Sequence, residues 1–240
     1  MSKPLSVTVF APAKVNLTLH VTGRRDDGYH LLDSLVAFAD AGDSLFVQMG
    51  NTISVTTEGP EASAVPADMD NLVLKVAALF EEMPGASFLL TKNLPVSSGI
   101  GGGSADAAAA FRGLMTFWSG GEVDHALYDP ARTPMADALL RLGADIPMCL
   151  LSQTARVRGI GEQIAPVRQL PLMDAVLVNP RRAVPTPAVF KALKHRDNAP
   201  MPEDLPRFGG FNDFVLWLGA QRNDLQQAAI ALEPAIAQAL

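Results

Sequence analysis

Leu94-Pro95-Val96-Ser97-Ser98-Gly99-Ile100-Gly101-Gly102-Gly103-Ser104-Ala105-Asp106-Ala107-Ala108-Ala109-Ala110 is the stretch around which the chain is organised. An apolar run, Ser87 to Lys92, leads into it and reads as a strand. An alanine-rich run continuing through Phe111 and Leu114 leads out and reads as a helix. Between them, residues 97–104 hold four glycines and three serines, enough to let the backbone adopt positive φ and turn its N–H groups toward a ligand. The free N–H groups and the dipole of a helix N-terminus favour an anion there. The stretch therefore reads as a phosphate-binding loop. A flexible linker also uses glycine and serine, but it needs neither a strand before it nor a strong helix former directly after it.

The loop fits neither common nucleotide fingerprint. No Gly-Lys-Ser/Thr follows it, which excludes a Walker A loop. Gly99-Ile100-Gly101-Gly102-Gly103-Ser104 lacks the last small apolar position of the dinucleotide motif.

At 240 residues and 48% hydrophobic content the chain can bury a sizeable core, in one or two domains. A net charge of −6 argues against a general nucleic-acid role. The single cysteine, Cys149, allows no internal disulfide, and its apolar surroundings make it a core thiol rather than a nucleophile. The N-terminal Met1 to Ser6 has no leader pattern, and no apolar run approaches the length of a membrane span. These features point to a cytoplasmic protein.

Along the chain, Val15, Leu17, Leu19 and Val21 alternate with polar residues, as in a half-buried strand that puts Lys14 and Asn16 on its polar face. The turn Arg24 to Gly28 leads directly to Tyr29 and His30. Leu45, Val47 and Met49, then Gly50-Asn51, then Ile53 and Val55, carry a hairpin signal. Asp70-Asn71 caps an expected helix from Leu72 to Met83. Thr133 before Pro134 signals another helix start, and Gly143 its end. Residues 156–162 read as a strand and tight turn, and Ala175 to Val178 as a short buried strand. A loop from Pro180 to Pro187 leads to a short helix holding Phe190. Residues 196–210 read as a loop, and Phe211 to Leu218 and Asp224 to Leu232 as helices. His20 and His195 carry no motif and read as structural or surface residues.

Pro95-x-x-x-Gly99-Ile100-Gly101-Gly102-Gly103-Ser104-Ala105-x-Ala107-Ala108 resembles the central motif of the GHMP kinases. Three more stretches carry the resemblance: Pro12 to Leu17 with Gly28-Tyr29-His30, then Leu142 to Pro147, then Pro185 to Phe190. Together they span most of the chain in the family's order. The resemblance implies an α+β fold of two domains. The first, residues 1–153, is ribosomal-S5-domain-2-like and carries the phosphate loop. The second, residues 154–240, is α/β-plait-like and shortened.

The resemblance also implies ATP as co-substrate, with Mg2+ as its counter-ion. No group of His, Cys and acids has metal-site spacing, so no metal ligand is assigned. Pro95, Val96, Ser97, Ser98, Gly99, Ile100, Gly101, Gly102, Gly103, Ser104 and Ala105 become the ATP cradle. Lys14 becomes the cation and Asp145 the general base, since phosphoryl transfer is mostly positioning and charge stabilisation. Without the matched motifs, Lys14 would read as a solvated strand residue and Asp145 as a turn former. Asp106 is expected to point away from the phosphates, which it would repel.

Asn16, Tyr29, His30, Thr186 and Phe190 become the substrate site, as in the branch of the family that takes a small-molecule cytidine diphosphate substrate for isoprenoid synthesis. There the matching aromatics sandwich the base and the histidine bonds it. The alternatives are a GHMP kinase for another alcohol and a non-catalytic nucleotide-binding relative. The second gains weight because the family's third motif, a Gly-Ser-Gly-Ala loop, has no counterpart before Leu240. The chain thus reads as a shortened member expected to turn over poorly and to associate. No nucleic-acid or membrane partner is expected, and the sequence does not give the oligomeric state.

Overall fold

The computed structural model describes residues 6–80, 83–121 and 124–240. Residues 1–5, where no leader is read, and Glu81 and Glu82 of the expected helix lie outside the described residues. The chain forms two compact units. The first takes in the chain through Lys14, Phe38–Val96 and Ile100–Ser152; the second takes in Val15–Ala37, Ser97–Gly99 and Gln153–Leu240.

Strands β1 (Ser6–Asn16), β2 (His20–Arg24), β3 (His30–Met49), β4 (Ser54–Glu58) and β5 (Ala86–Thr91) precede the loop. In the first unit, the second half of β3 pairs antiparallel with β5, Ser44 facing Thr91 and Met49 facing Ala86. β4 lies on the other side of β5 and runs parallel to it. The expected hairpin through Gly50-Asn51 therefore does not form, because β5 is inserted between its two arms. Gly50 instead donates to the carbonyl of Gly85, at the start of β5 (3.1 Å). The alternation itself is real: Leu45 and Val47 are buried, although Met49 is exposed.

Helix α1 (Leu72–Ala77) starts where expected, with the Asn71 side chain accepting from the N–H of Val73 at 2.9 Å. It is shorter than its sequence pattern. Helix α2 (Gly102–Trp118) buries Ala105, Ala107 to Ala110, Phe111, Leu114 and Phe117. Small residues let the helix approach its neighbours closely. A Cβ at Gly113 would lie 2.8 Å from Val47 Cγ2. Helix α3 (Ala136–Leu142) takes Met135, not Thr133, as its N-cap. The Thr133 carbonyl accepts from Ala136 in a turn that delays the helix, and the Thr133 hydroxyl is buried without a partner. Gly143 closes α3, and α4 (Ile146–Leu151) follows with Asp145 at its N-cap and buried Cys149 inside it.

In the second unit β2 and the first half of β3 form an antiparallel pair, Arg24 facing His30. Strand β6 (Ala155–Gly159) pairs with β3 over Leu32 to Val36, and β7 (Gln163–Pro166) returns antiparallel to β6. The expected strand at Ala175 to Val178 is absent, and Val176 and Val178 are 87% and 65% exposed. A run of four apolar residues becomes a strand only with a ladder partner, and no described strand supplies one. Helix α5 (Thr186–Ala192) holds Phe190. Helices α6 (Phe211–Gly219), α7 (Gln226–Leu232) and α8 (Ala235–Ala239) complete the chain. Leu35, Met201 and Phe214 form one core, flanked by Phe208 and Trp217.

That core closes on an ion pair. Arg156 on β6 grips Asp33 on β3 with Nε to Oδ1 at 2.8 Å and Nη2 to Oδ2 at 2.7 Å. Its remaining N–H groups reach the carbonyls of Met201, Pro202 and Glu203, and Asp33 accepts from the N–H of Met201. Burial raises the Asp33 carboxyl, but the Arg156 guanidinium outweighs it and holds the group below its ordinary value. The pair straps the coil at 201–203 over the sheet. Replacing Asp33 with Ala strands the buried guanidinium and should cost about 3–5 kcal/mol. Chemical denaturation of the variant beside the unmutated chain measures it, and a change below about 1 kcal/mol would refute the strap.

Candidate active site

The loop between β5 and α2 is shaped by its backbone. Ser97, Gly99 and Gly101 have φ of 55°, 79° and 68°. Left-handed backbone of this kind is what lets a loop turn its N–H groups toward an anion. Gly101 is the N-cap of α2 and contributes no side-chain bond, so the free N–H groups of the first turn are left for a ligand.

Lys14, near the end of β1, is fixed against this loop. Its N–H donates to the carbonyl of Ile100 at 2.9 Å. A Cβ on Gly101 would lie 3.2 Å from Lys14 Cβ and 3.3 Å from Cε, so the lysine stem packs on the bare glycine. Lys14 is only 6% exposed, not on a solvated strand face. Its ammonium donates to Asp145 Oδ2 at 2.8 Å. Asp145 makes no side-chain cap to its own helix, and its side chain is 36% exposed, enough to meet a substrate. The structure thus brings together Lys14, Asp145 and the Ile100 to Ala105 part of the loop.

Three residues with no motif of their own support this group. Arg112 on α2 donates to the Cys149 carbonyl (2.6 Å) and Ser152 Oγ (3.3 Å), at the C-terminal end of α4, and to the Phe10 carbonyl (2.8 Å) on β1. One guanidinium therefore ties the strand that carries Lys14 to the helix that Asp145 starts. Lys92 and Asp43 are the others. Asp106 indeed turns from the loop's open side: it is 3% exposed and accepts from Lys92 at 2.7 Å. Burial pushes the Cys149 thiol up to about 12, which suits the inert core residue expected.

The expected substrate residues lie in the second unit. Asn16 ends β1 and donates to Ser34 Oγ at 2.7 Å. His30 opens β3, and its ring stacks on Phe190 with centroids 4.8 Å apart and planes at 23°. Phe190 also packs against the core of Leu19, Val21, Val189, Leu193 and Ala228. Burial, then the charges of Arg24 and Arg196, lower the His30 pKa, so the ring is neutral at pH 7. Its Nε2 is buried with no partner. Tyr29 stands beside it, 55% exposed, and Thr186 is the exposed first residue of α5.

Residues 71–153 match the family described as GHMP kinases N terminal domain. The 4-diphosphocytidyl-2-C-methyl-D-erythritol kinase of Roseobacter denitrificans is 61% identical over 99% of this chain and 77% of its own length. That of Ruegeria pomeroyi is 52% identical over 98% of this chain and 81% of its own length. A crystal structure of 4-(cytidine 5'-diphospho)-2C-methyl-D-erythritol kinase matches with a TM-score of 0.65 at 32% identity, covering 97% of this chain and 80% of that one. A homoserine kinase structure from Cytophaga hutchinsonii, 19% identical over 86% of this chain and 63% of that one, shares the fold at a TM-score of 0.55. The chain belongs to the GHMP kinase family, in its 4-diphosphocytidyl-2-C-methyl-D-erythritol kinase branch.

The contact between Lys14 and Gly101 is testable. Gly101→Ala puts a side chain into left-handed backbone and against the Lys14 stem, at a cost of about 1–3 kcal/mol. Melting of the purified variant should record that loss, and its ATP affinity should fall with it. An unchanged melting temperature and affinity would show that the loop does not depend on this packing.

Proposed function

We propose that the protein transfers the γ-phosphoryl group of ATP to the 2-hydroxyl of 4-diphosphocytidyl-2-C-methyl-D-erythritol, a step of non-mevalonate isoprenoid synthesis. The 2.8 Å contact between Lys14 and Asp145, beside the glycine loop, is the observation that carries this reading. It also favours a working enzyme over a non-catalytic nucleotide-binding relative.

In this reading the loop from Pro95 to Ala105 holds the ATP phosphates with backbone N–H groups. Asp145 orients the substrate hydroxyl and takes its proton as the oxygen bonds to the γ-phosphorus. The bond from the γ-phosphorus to the β–γ bridging oxygen breaks, and ADP leaves. Lys14 stabilises the charge that develops on the transferring group. Mg2+ enters as the counter-ion of ATP. Among the described residues no group of three or more His, Cys, Asp or Glu could hold a metal, and Mg2+ commonly relies on phosphates and few protein ligands.

The cytosine is read by Tyr29, His30 and Phe190, with Asn16 and Thr186 as further polar contacts. A neutral imidazole keeps an acceptor for the edge of a base, the exposed Tyr29 ring can stack on it, and Phe190 backs His30 in the same cluster. A division into domains near residue 153, action in the cytoplasm and the absence of a nucleic-acid partner belong to the same proposal. No described helix is long and apolar enough to cross a membrane.

Asp145→Asn keeps the size of the side chain and removes its charge. Turnover should fall by about 10²–10⁴-fold while ATP still binds. Near-normal turnover would refute the role of Asp145. For the base, Phe190→Ala should raise KM for the cytidine substrate by about tenfold or more, with KM for ATP held. Equal effects on both substrates would place Phe190 in the core alone.

A further inference from the structure

Beneath the loop lies a buried ionic group that the transfer chemistry does not use. Lys92 follows β5 and is 2% exposed; its ammonium donates to Asp43 Oδ2 at 2.5 Å and Asp106 Oδ2 at 2.7 Å. Asp43, on β3, is fully buried, and its Oδ1 accepts the N–H groups of Asn93 (2.6 Å) and Leu94 (2.8 Å), which lead into the loop. Asp106, in the second turn of α2, keeps its Oδ1 buried with no partner. With both acids ionised, two carboxylates share one ammonium, a net charge of −1. The group reaches the start of the helix: a Cβ on Gly102 would lie 3.0 Å from Lys92 Nζ and 3.7 Å from Asp43 Oδ2.

A phosphate arriving at α2 meets opposed fields. The helix N-terminus and Lys92 attract it, and the surplus carboxylate repels it. We propose that Lys92 and Asp106 are positioning residues that set the loop's affinity for nucleotide phosphates, Lys92 by anchoring the Asp106 carboxyl and Asp106 by taking up a proton as the phosphates bind. The inference rests on the loop being the ATP site. The proton comes from solvent and forms an O–H bond at Asp106; no other bond changes.

Among the described residues, Lys92 bonds Asp106 directly, Asp43 shares that ammonium, and from α4 Cys149 lies within electrostatic reach, its thiol neutral because burial pushes it up to about 12. Burial raises the Asp106 carboxyl, Lys92 lowers it and Asp43 raises it again, with the outcome at about 7. A bound anion adds negative charge nearby and raises it further.

The test is calorimetric titration of the full chain with ATP, in two buffers of different ionisation enthalpy. At about pH 8 the nucleotide's phosphates are already ionised, so the unmutated chain should take up about 0.4 proton per ATP, if the anion raises Asp106 by about one unit. Asp106→Asn should abolish that uptake. It should also bind ATP about eightfold tighter than the unmutated chain at about pH 8.5, and equally at about pH 6. Lys92→Met should weaken binding, and adding Asp106→Asn should restore much of it, a rescue that a purely structural role would not give. The same proton uptake in Asp106→Asn, or an affinity ratio that does not change with pH, overturns the proposal. Uptake by the unmutated chain is read without any variant, so its absence at pH 8 overturns the proposal even if a variant fails to fold. If no ATP binds at any pH, the reading of the loop as the nucleotide site fails instead, and the proposal with it.

Discussion

Lys14 is held at three points, and the first unit is arranged around that restraint. Its backbone bonds to Ile100, its stem lies on Gly101, and its ammonium reaches Asp145. A free lysine spends much of its time in other rotamers, and ordering it costs up to about 2 kcal/mol. Here the ordering is completed when the chain folds, so it does not fall on the substrate's binding step. The same restraint explains why position 101 carries no side chain. A left-handed helix cap could hold asparagine, but the lysine stem already occupies the space.

Restraint of Lys14 would count for little if Asp145 could drift. Asp145 starts a helix of six residues, too short to be rigid on its own. Arg112 supplies what the helix lacks, by bonding the carbonyl groups at its far end and the strand that carries Lys14. A guanidinium suits this task because its fork of donors can serve several carbonyls at once. Burial lowers its pKa, yet arginine's ordinary value lies so high that the group stays charged among its carbonyl and hydroxyl acceptors.

What the sequence made legible follows from how local each signal is. The strand, loop and helix around residues 87–118 and the cap at Asn71 depend on neighbours a few residues apart, and they stand where expected. The hairpin through Gly50-Asn51 did not form because β5, some 35 residues on, took the place of the second arm. The run at Ala175 to Val178 has the composition of a strand but no described partner, and pairing is not written in a single segment. Lys92, Asp43 and Arg112 could not be found from motifs. Their partners lie 49 and 37 residues away in sequence, and only packing brings them together. The positions carrying a family motif, Lys14, Asp145, His30 and Phe190, were nameable, yet the 2.8 Å contact and the ring stack were not.

The two units also differ in the chemistry they can offer. Phosphoryl transfer needs a fixed cation, an acid and N–H groups that can hold an anion, and the roles proposed for Lys14, Asp145 and the start of α2 place those groups in the first unit. Base recognition needs apolar faces and neutral hydrogen-bonding groups, because a charged imidazole would lose its acceptor. The proposed base site draws on the second unit, where His30 is seated on Phe190, itself packed among Leu19, Val21 and Val189. Burial and two arginines keep the imidazole uncharged, and the stack fixes its plane. The chain passes from one unit to the other between Lys14 and Val15, inside β1. Lys14, the proposed transfer cation, and Asn16, the proposed polar contact, are therefore two residues apart on one strand.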